Sequence, residues 1–443
     1  MRDLVITLIV FGSLPFILKR PYIGILMWVW VSVMNPHRLS YGFAYSFPFA
    51  AVLAGVTLIS LVLTREDKKL PMTPIVVTLI AFTLWMIVTT IFSLWPDEST
   101  VMLTRVMKTM VMTLVTIMLI KTKRQIHLLL WALAASLAYY GVKGGIFTIL
   151  SGGHSIVWGP EGSYIEGNNE LALGLITIIP IIYGLFMNYR QKWLRYGLLI
   201  AMVLCGAAAL GSYSRGALLG ISAMVLFLWV KSPKKMVVGI LLATLLPIGM
   251  MWMPDKWSQR METINTYKED SSAMGRINAW WMAYNMAVDR PLVGGGYEIY
   301  NGISFARYAP VPTDVHAAHS IYFQALGEHG FVGLGLYLAM ALMLWRKGSW
   351  IARQTAKRAD LKWAANIATM LQVSMIGFAT GGAFLSLLYY DVPYYLAAVM
   401  VSLGCLVERE LKQGADTAVA VSSTTAAAAR WTANARSVYH DGK

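Results

Sequence analysis

Charge is scarce in this chain of 443 residues: Asp, Glu, Lys and Arg make up 13% of it, while 57% of the residues are hydrophobic. Soluble domains carry roughly 25% charged residues, so most of this chain cannot be wetted by its own side chains, and a soluble globular enzyme is excluded. Cysteine is scarcer still. Cys205 and Cys405 both fall inside apolar runs, which leaves no material for a disulfide framework or a thiolate metal site. Nucleotide and hydrolase signatures are missing too: there is no GxxxxGKS/T phosphate loop, no GxSxG elbow, and no Asp-x-Asp pair in a connection between apolar runs. Those absences weigh against an ATP-driven pump and against a glycosyltransferase that brings a metal to a phosphate.

What the chain has is apolar runs of about 16 to 25 residues, the length that crosses a hydrocarbon core as a helix. The fold class expected is all-α, a polytopic integral membrane protein. Its formal charge of +15 is concentrated in five short connections: Arg65, Lys68, Lys69; Lys121, Lys123, Arg124; Arg190, Lys192, Arg195; Lys231, Lys234, Lys235; and Arg346 through Lys362. The connections that alternate with them, near 96–100, 151–170 and Asp391, have no Lys or Arg. Basic connections stay in the cytoplasm, so the excess charge reads as an insertion signal with some attraction to lipid, not as nucleic-acid binding. The spans expected are 46–64, 74–95, 100–120, 126–150, 170–188, 196–212, 216–231, 236–253, 319–345, 363–388 and 392–407. Residues 3–34, interrupted at Pro15 and Lys19-Arg20-Pro21, add one broken helix or two, for about 12 or 13 spans in all. Met1 to Phe16 lacks a small-residue cleavage site and is expected to remain in the chain.

Four regions follow. Residues 1–253 form the N-terminal and central membrane helices, 254–318 an external helical insert, 319–411 the C-terminal membrane helices, and 412–443 a disordered cytoplasmic tail. In the insert, Trp257, Met261 and Ile264 stand at helical spacing and a second helix is expected over 271–288. Its aromatic content argues for a folded cap on the membrane surface.

Polar residues at the membrane lip are costly and are where function is sought. Arg215, in GSYSRGALLG, is the one basic residue in a short external connection; it is an anion cradle with its flanking backbone amides or an arginine anchored at the interface. Arg276 opens the second insert helix, where free amides and the dipole favour an anion; the alternative is a solvated helix-face arginine. His316 and His319, three apart in VHAAHSIY, fall on what one helical face would carry. A metal pair is conceivable from that spacing, but the only acidic neighbour is Asp314. A general base at the wet end of a membrane helix is the other chemical reading, and a structural histidine the third. Arg105 and Lys108 either pair with Asp97 or Glu98 or line the anionic site, and Lys143 belongs to the same class. Glu166, Asn168 and Asn169 either hydrogen-bond a sugar or cap the helix that follows.

Three pieces, SYSRGALLG (212–220), GRINAWWMAYNMAVDRPLVGGG (275–296) and HSIYFQALGEHGFVGLG (319–335), occur in an order and spacing that resemble the O-antigen ligase and polymerase superfamily of bacterial envelope enzymes. The N-terminal part, MRDLVITLIVFGSLPFILKRPYIGILMW through MNPHRLSYGFAYSFPFA, is similar to O-glycosylation ligases associated with exosortase systems. The resemblance implies a GT-C-type membrane glycosyltransferase in the bacterial inner membrane, working at the periplasmic face as a monomer and without metal or other cofactor. The implied reaction moves a glycan from undecaprenyl pyrophosphate to an acceptor hydroxyl such as a sugar of the lipid A core. By the same resemblance Arg215 and Arg276 hold the pyrophosphate and His319 is the base, with His316 a further candidate; Ser320 departs from the Asn common in relatives. The competing readings are a polymerase that extends the glycan on its carrier, a protein O-glycosylation ligase, and a transporter for the lipid-linked glycan. A transporter would bring inverted repeats and charges near the midplane; no repeat is visible, and the candidate charges lie at the lip.

Overall fold

A computed structural model describes residues 1–231, 253–262 and 271–413, together with Lys235, Met236 and Thr244. The expected span 236–253, Ile264 and the tail beyond 413 fall outside the described residues. Every regular element among those described is helical: α1 Arg2–Lys19, α2 Pro21–Val29, α3 Phe49–Leu63, α4 Pro74–Ile91, α5 Pro96–Leu119, α6 Lys123–Leu150, α7 Asn168–Asn188, α8 Lys192–Gly211, α9 Arg215–Lys231, α10 Asp255–Glu262, α11 Ser271–Asp289, α12 Gly302–Tyr308, α13 Ile321–Thr355, α14 Lys362–Gly382 and α15 Asp391–Gln413. Seven of these are long and apolar enough to cross a membrane, and α2 with its continuation to Met34, and α3, are shorter apolar helices. The chain is an all-α polytopic membrane protein.

Local chemistry sets the ends. Pro74 follows Thr73, whose hydroxyl accepts from the Val76 amide, and Thr122 with Gln125 closes a capping box at the start of α6, so amides that would be orphaned are satisfied. The N-terminal apolar region is two helices: Arg20 is extended (φ −144°) and Pro21 starts α2, because a proline cannot donate to the preceding turn. α15 forms the enclosed axis, with 83% of its apolar window buried, whereas α8 has 28% buried and faces outward.

The connections sort into two ends. Lys121 pairs with Asp67 at 2.9 Å, the His127 and Trp363 rings lie 5.1 Å apart, and Asn366 donates to Asn188 at 3.2 Å, which gathers the basic connections at one end. At the other, the Val157 amide reaches the Gly211 carbonyl at 3.2 Å and the Leu94 amide reaches Gly295 at 2.9 Å. Asn168 Nδ2 donates to the Ser212 carbonyl at 2.7 Å, and the His319 amide donates to Ser386 Oγ at 2.9 Å.

The expected span 319–345 is corrected in two respects. Residues 314–320 are irregular, so His316 and His319 do not share a helical face, and α13 begins at Ile321. It is also broken: Gly330 has φ 67° and ψ −172°, separating a short segment, Ile321–His329, from the membrane helix proper. A Cβ at Gly330 would stand 2.3 Å from the Leu292 carbonyl oxygen, so only glycine fits this left-handed turn. The segment 291–296 fills the break, with the Gly295 and Gly296 amides donating to the carbonyls of Gly327 and Glu328 and the Phe331 amide donating to Pro291. Backbone groups freed by a broken helix at membrane depth must find such partners.

Candidate functional site

The site end is assembled around α11. Asn278 holds the incoming chain through three bonds: Nδ2 to the carbonyls of Val311 (2.8 Å) and Asp314 (2.9 Å), and Oδ1 from the Val311 amide (2.9 Å). That pins residues 311–319 beside Arg276, two residues before Asn278. Gly275 has a reason as well: a Cβ there would meet His316 Cδ2 at 2.3 Å, so the glycine lets the imidazole lie against the helix next to Arg276. His316 in turn binds Asp314, Nε2 to Oδ1, at 2.7 Å.

His319 adopts φ 43°, a conformation non-glycine residues rarely hold without compensation. The Ser386 bond to its amide and the Trp280 Nε1 bond to the neighbouring Ala318 carbonyl at 2.6 Å supply that compensation. Burial lowers the imidazole from its ordinary value to about 4, with the charges of Arg276 and His316 adding to the effect. The ring is therefore neutral throughout the physiological range. Arg276 also acts on Glu170, in the first turn of α7, so one guanidinium faces both the histidine and a carboxylate that sequence reasoning passed over.

Arg215 starts α9 two residues after Tyr213, which has φ 60°, and is half-buried. Its neighbour Gly216 lies against the Gly381 carbonyl and Phe384, the same 381–386 connection whose Ser386 holds His319. The neighbour of Arg215 on α9 and the histidine beside Arg276 thus meet one connection. Arg105 is near enough to Tyr164 for its charge to act on the hydroxyl and forms no ion pair with Asp97 or Glu98. Burial, with Asp391 adding, pushes the Tyr164 hydroxyl up to about 12 despite that charge. Lys108 is exposed on α5. Asn168 is committed to the Ser212 carbonyl, a stitch between α7 and the α8–α9 turn, and the Glu166 carboxylate accepts from the Gly162 amide at 2.8 Å. Asn169 is half-buried beside them. Lys143 is not brought to this group; it lines an outward groove between α6 and α8 with Tyr139 and Trp193.

Two residues missed in the sequence lie beneath the site. Glu328 and His329, consecutive and buried, both bind the Tyr389 hydroxyl, His329 Nε2 at 2.5 Å. His329 Nδ1 meets Thr89 Oγ1 at 2.7 Å, and Gln324 bridges from Glu328 to the Leu388 amide. This network fixes the connection that carries Ser386. A Glu-His pair inside an otherwise apolar span is itself a signal, since buried ionisable groups at membrane depth must be paired.

Beside Arg276, Trp280 stacks on Phe323 with centroids 5.1 Å apart and planes 6° from parallel. Trp281 and Tyr284 are exposed and extend the pair into an aromatic groove of about 350 Å³. Among the described residues, no three His, Cys, Asp or Glu side chains converge as metal ligands would.

Residues 200–338 match the family model described as O-antigen ligase. Residues 1–191 match that of a family of unknown function, DUF5935. No curated protein matches the chain.

Proposed function

From the match of residues 200–338 to the O-antigen ligase family model, we propose that the protein transfers a glycan from undecaprenyl pyrophosphate to an acceptor hydroxyl, a sugar of the lipid A core, at the periplasmic face of the bacterial inner membrane. The observation that carries the reading is the pairing of a neutral imidazole, His319, with a guanidinium, Arg276, close enough for the charge of one to act on the other. A leaving pyrophosphate needs fixed cationic donors, and an attacking hydroxyl needs a base.

In this reading Arg276 and Arg215 hold the pyrophosphate. His319 accepts the proton as the acceptor oxygen forms its bond to the anomeric carbon. The bond from that carbon to the pyrophosphate breaks on the opposite face, with inversion. An imidazole held near 4 is a weak base in the empty site. Burial is the larger cause of that lowering and Arg276 the next; a bound pyrophosphate offsets the Arg276 charge and returns part of the basicity to His319, so the base gains strength when the donor is in place. The groove of Trp280, Trp281 and Tyr284 suits the apolar face of a pyranose ring, which packs well against aromatic planes. Arg105, beside Tyr164, and Lys108 add positive potential on the α5 side. No metal or other cofactor takes part, and the protein acts as a monomer.

A transfer assay with purified protein, undecaprenyl-pyrophosphate glycan and a lipid A core acceptor tests this. The expected result is inverted product at undiminished rate in EDTA. Extension of the glycan on its carrier with no transfer to the core would make the protein a polymerase instead, and glycan moved onto a protein would make it a protein ligase.

A further inference from the structure

A cavity of about 1140 Å³ opens at the basic end of the bundle, between the start of α4, the end of α9 and the basic half of α13. Its wall is apolar, formed by Ile75, Phe227, Met343 and Val401, and its rim carries Lys231, Arg346, Lys347 and Arg353. The single carboxylate, Glu408, is taken by Lys347, whose ammonium also lies 4.2 Å from the centre of the Trp350 ring. Lys231, Arg346 and Arg353 have no acidic partner among the described residues. Arg353 spends only its Nε, on the Ser349 carbonyl at 3.3 Å, so its two terminal nitrogens remain available. The floor asks for nothing: Gln372 Nε2 already binds the Trp345 carbonyl at 2.9 Å and Ser349 Oγ at 2.8 Å.

A satisfied floor, an apolar wall and three unneutralised cations at the end of membrane-crossing helices describe the receptor for an amphiphile with an anionic head. We propose that this cavity binds an anionic phospholipid, with its phosphate between Lys231, Arg346 and Arg353 and an acyl chain along Phe227, Met343 and Val401. Basic residues that serve only as an insertion signal need face only water. These instead stand over a cavity, and Trp345 packs edge-on against Phe227 at 5.4 Å, holding α9 and α13 in register around it. Basic pockets between membrane helices are a known means of taking acidic headgroups.

The test uses the full chain in nanodiscs of equal parts phosphatidylglycerol and phosphatidylcholine, with native mass spectrometry after gentle extraction reading the ratio of the two lipids retained. The wild type is expected to retain phosphatidylglycerol in preference. Arg346→Gln with Arg353→Gln should lower that ratio about 25-fold, at about fivefold per cation. Arg190→Gln with Lys192→Gln, which removes the same charge from the same end outside the cavity, should leave it unchanged, and Arg346→Lys with Arg353→Lys should keep most of the preference if the glutamine pair fails to fold. Equal losses in the cavity pair and the control pair would overturn the proposal in favour of a diffuse charge effect. Unchanged retention in the cavity pair would overturn it outright, and displacement of the lipid by inorganic phosphate would make the cavity a soluble-anion site.

Discussion

At the basic end of the bundle cations are numerous, mostly exposed, and set on regular helix ends with ordinary caps such as Thr73 and Thr122. At the opposite end the two arginines of the candidate site each stand beside a departure from regular backbone: Arg215 two residues after left-handed Tyr213, and Arg276 against left-handed His319. The number of charges orients a membrane protein, whereas their backbone setting decides what they can do. Strained backbone persists only where surrounding contacts over-determine it, and here Ser386 holds the His319 amide, Trp280 the carbonyl of Ala318 before it, and Asn278 the chain that leads in at Val311 and Asp314.

The sharpest way to break this contrast is at the histidines. His319→Ala should cost about 10² to 10⁴ in transfer rate, the usual price of a missing general base, while His316→Ala, at an exposed ring bound to Asp314, should cost less than about tenfold. Equal losses would erase the distinction between them. Next, Arg276→Lys and Arg215→Lys should each slow transfer by about 10² to 10³ with the protein still inserted, because an ammonium lacks the planar fork. The same exchange at Arg190, on the basic end, should leave the rate unchanged.

The pH profile sharpens the comparison further. With His319 lowered to about 4, kcat/KM should change by less than about twofold between pH 7 and pH 5 and fall only near 4. An unperturbed imidazole of pKa ~6.5 would lose about 25-fold over the same range. The acid limb of kcat, which reports the donor-bound state, should lie at higher pH than that of kcat/KM. Stability follows the same sign: because the folded value is depressed, the unfolded chain takes the proton first, so His319 contributes stability above about 6.5 that is lost as pH falls towards 4.

Gly330→Ala should destabilise by roughly 1–3 kcal/mol, read as a lower midpoint of thermal unfolding in detergent, since the alanine must hold a left-handed turn against the Leu292 carbonyl. At the other end, Lys121→Gln breaks an ion pair whose Asp67 is largely exposed and should leave the unfolding midpoint close to that of the wild type. A larger loss from Lys121 than from Gly330 would invert the comparison.

Much of this architecture is legible from local pattern. Apolar runs and alternating basic connections locate α4 to α9 within a few residues, and the three quoted motifs single out Arg215, Arg276 and His319. The break in α13 is not legible, because ALGEHGFVGLG is compatible with a continuous helix and the partner that forces the break, residues 291–296, lies some thirty residues earlier in the chain. Glu170 escaped for a similar reason. Its placement beside Arg276 depends on how α7 and α11 are brought together, which no spacing within either helix encodes. Asn168 is the reverse case, a polar residue at the lip whose amide serves the Ser212 carbonyl.

The strap formed by residues 291–296 joins the insert to the bundle at two places, the 92–95 turn and the gap in α13. A hinge needs backbone free to rotate, and these amides and carbonyls are engaged on both sides, so the strapped part of the insert moves with the bundle and does not swing as a lid. On the proposed function, traffic through such a mouth is two-dimensional, with lipid-borne reactants arriving and departing sideways within the bilayer plane, and amides in the strap should be among the slowest in the insert to exchange with deuterium.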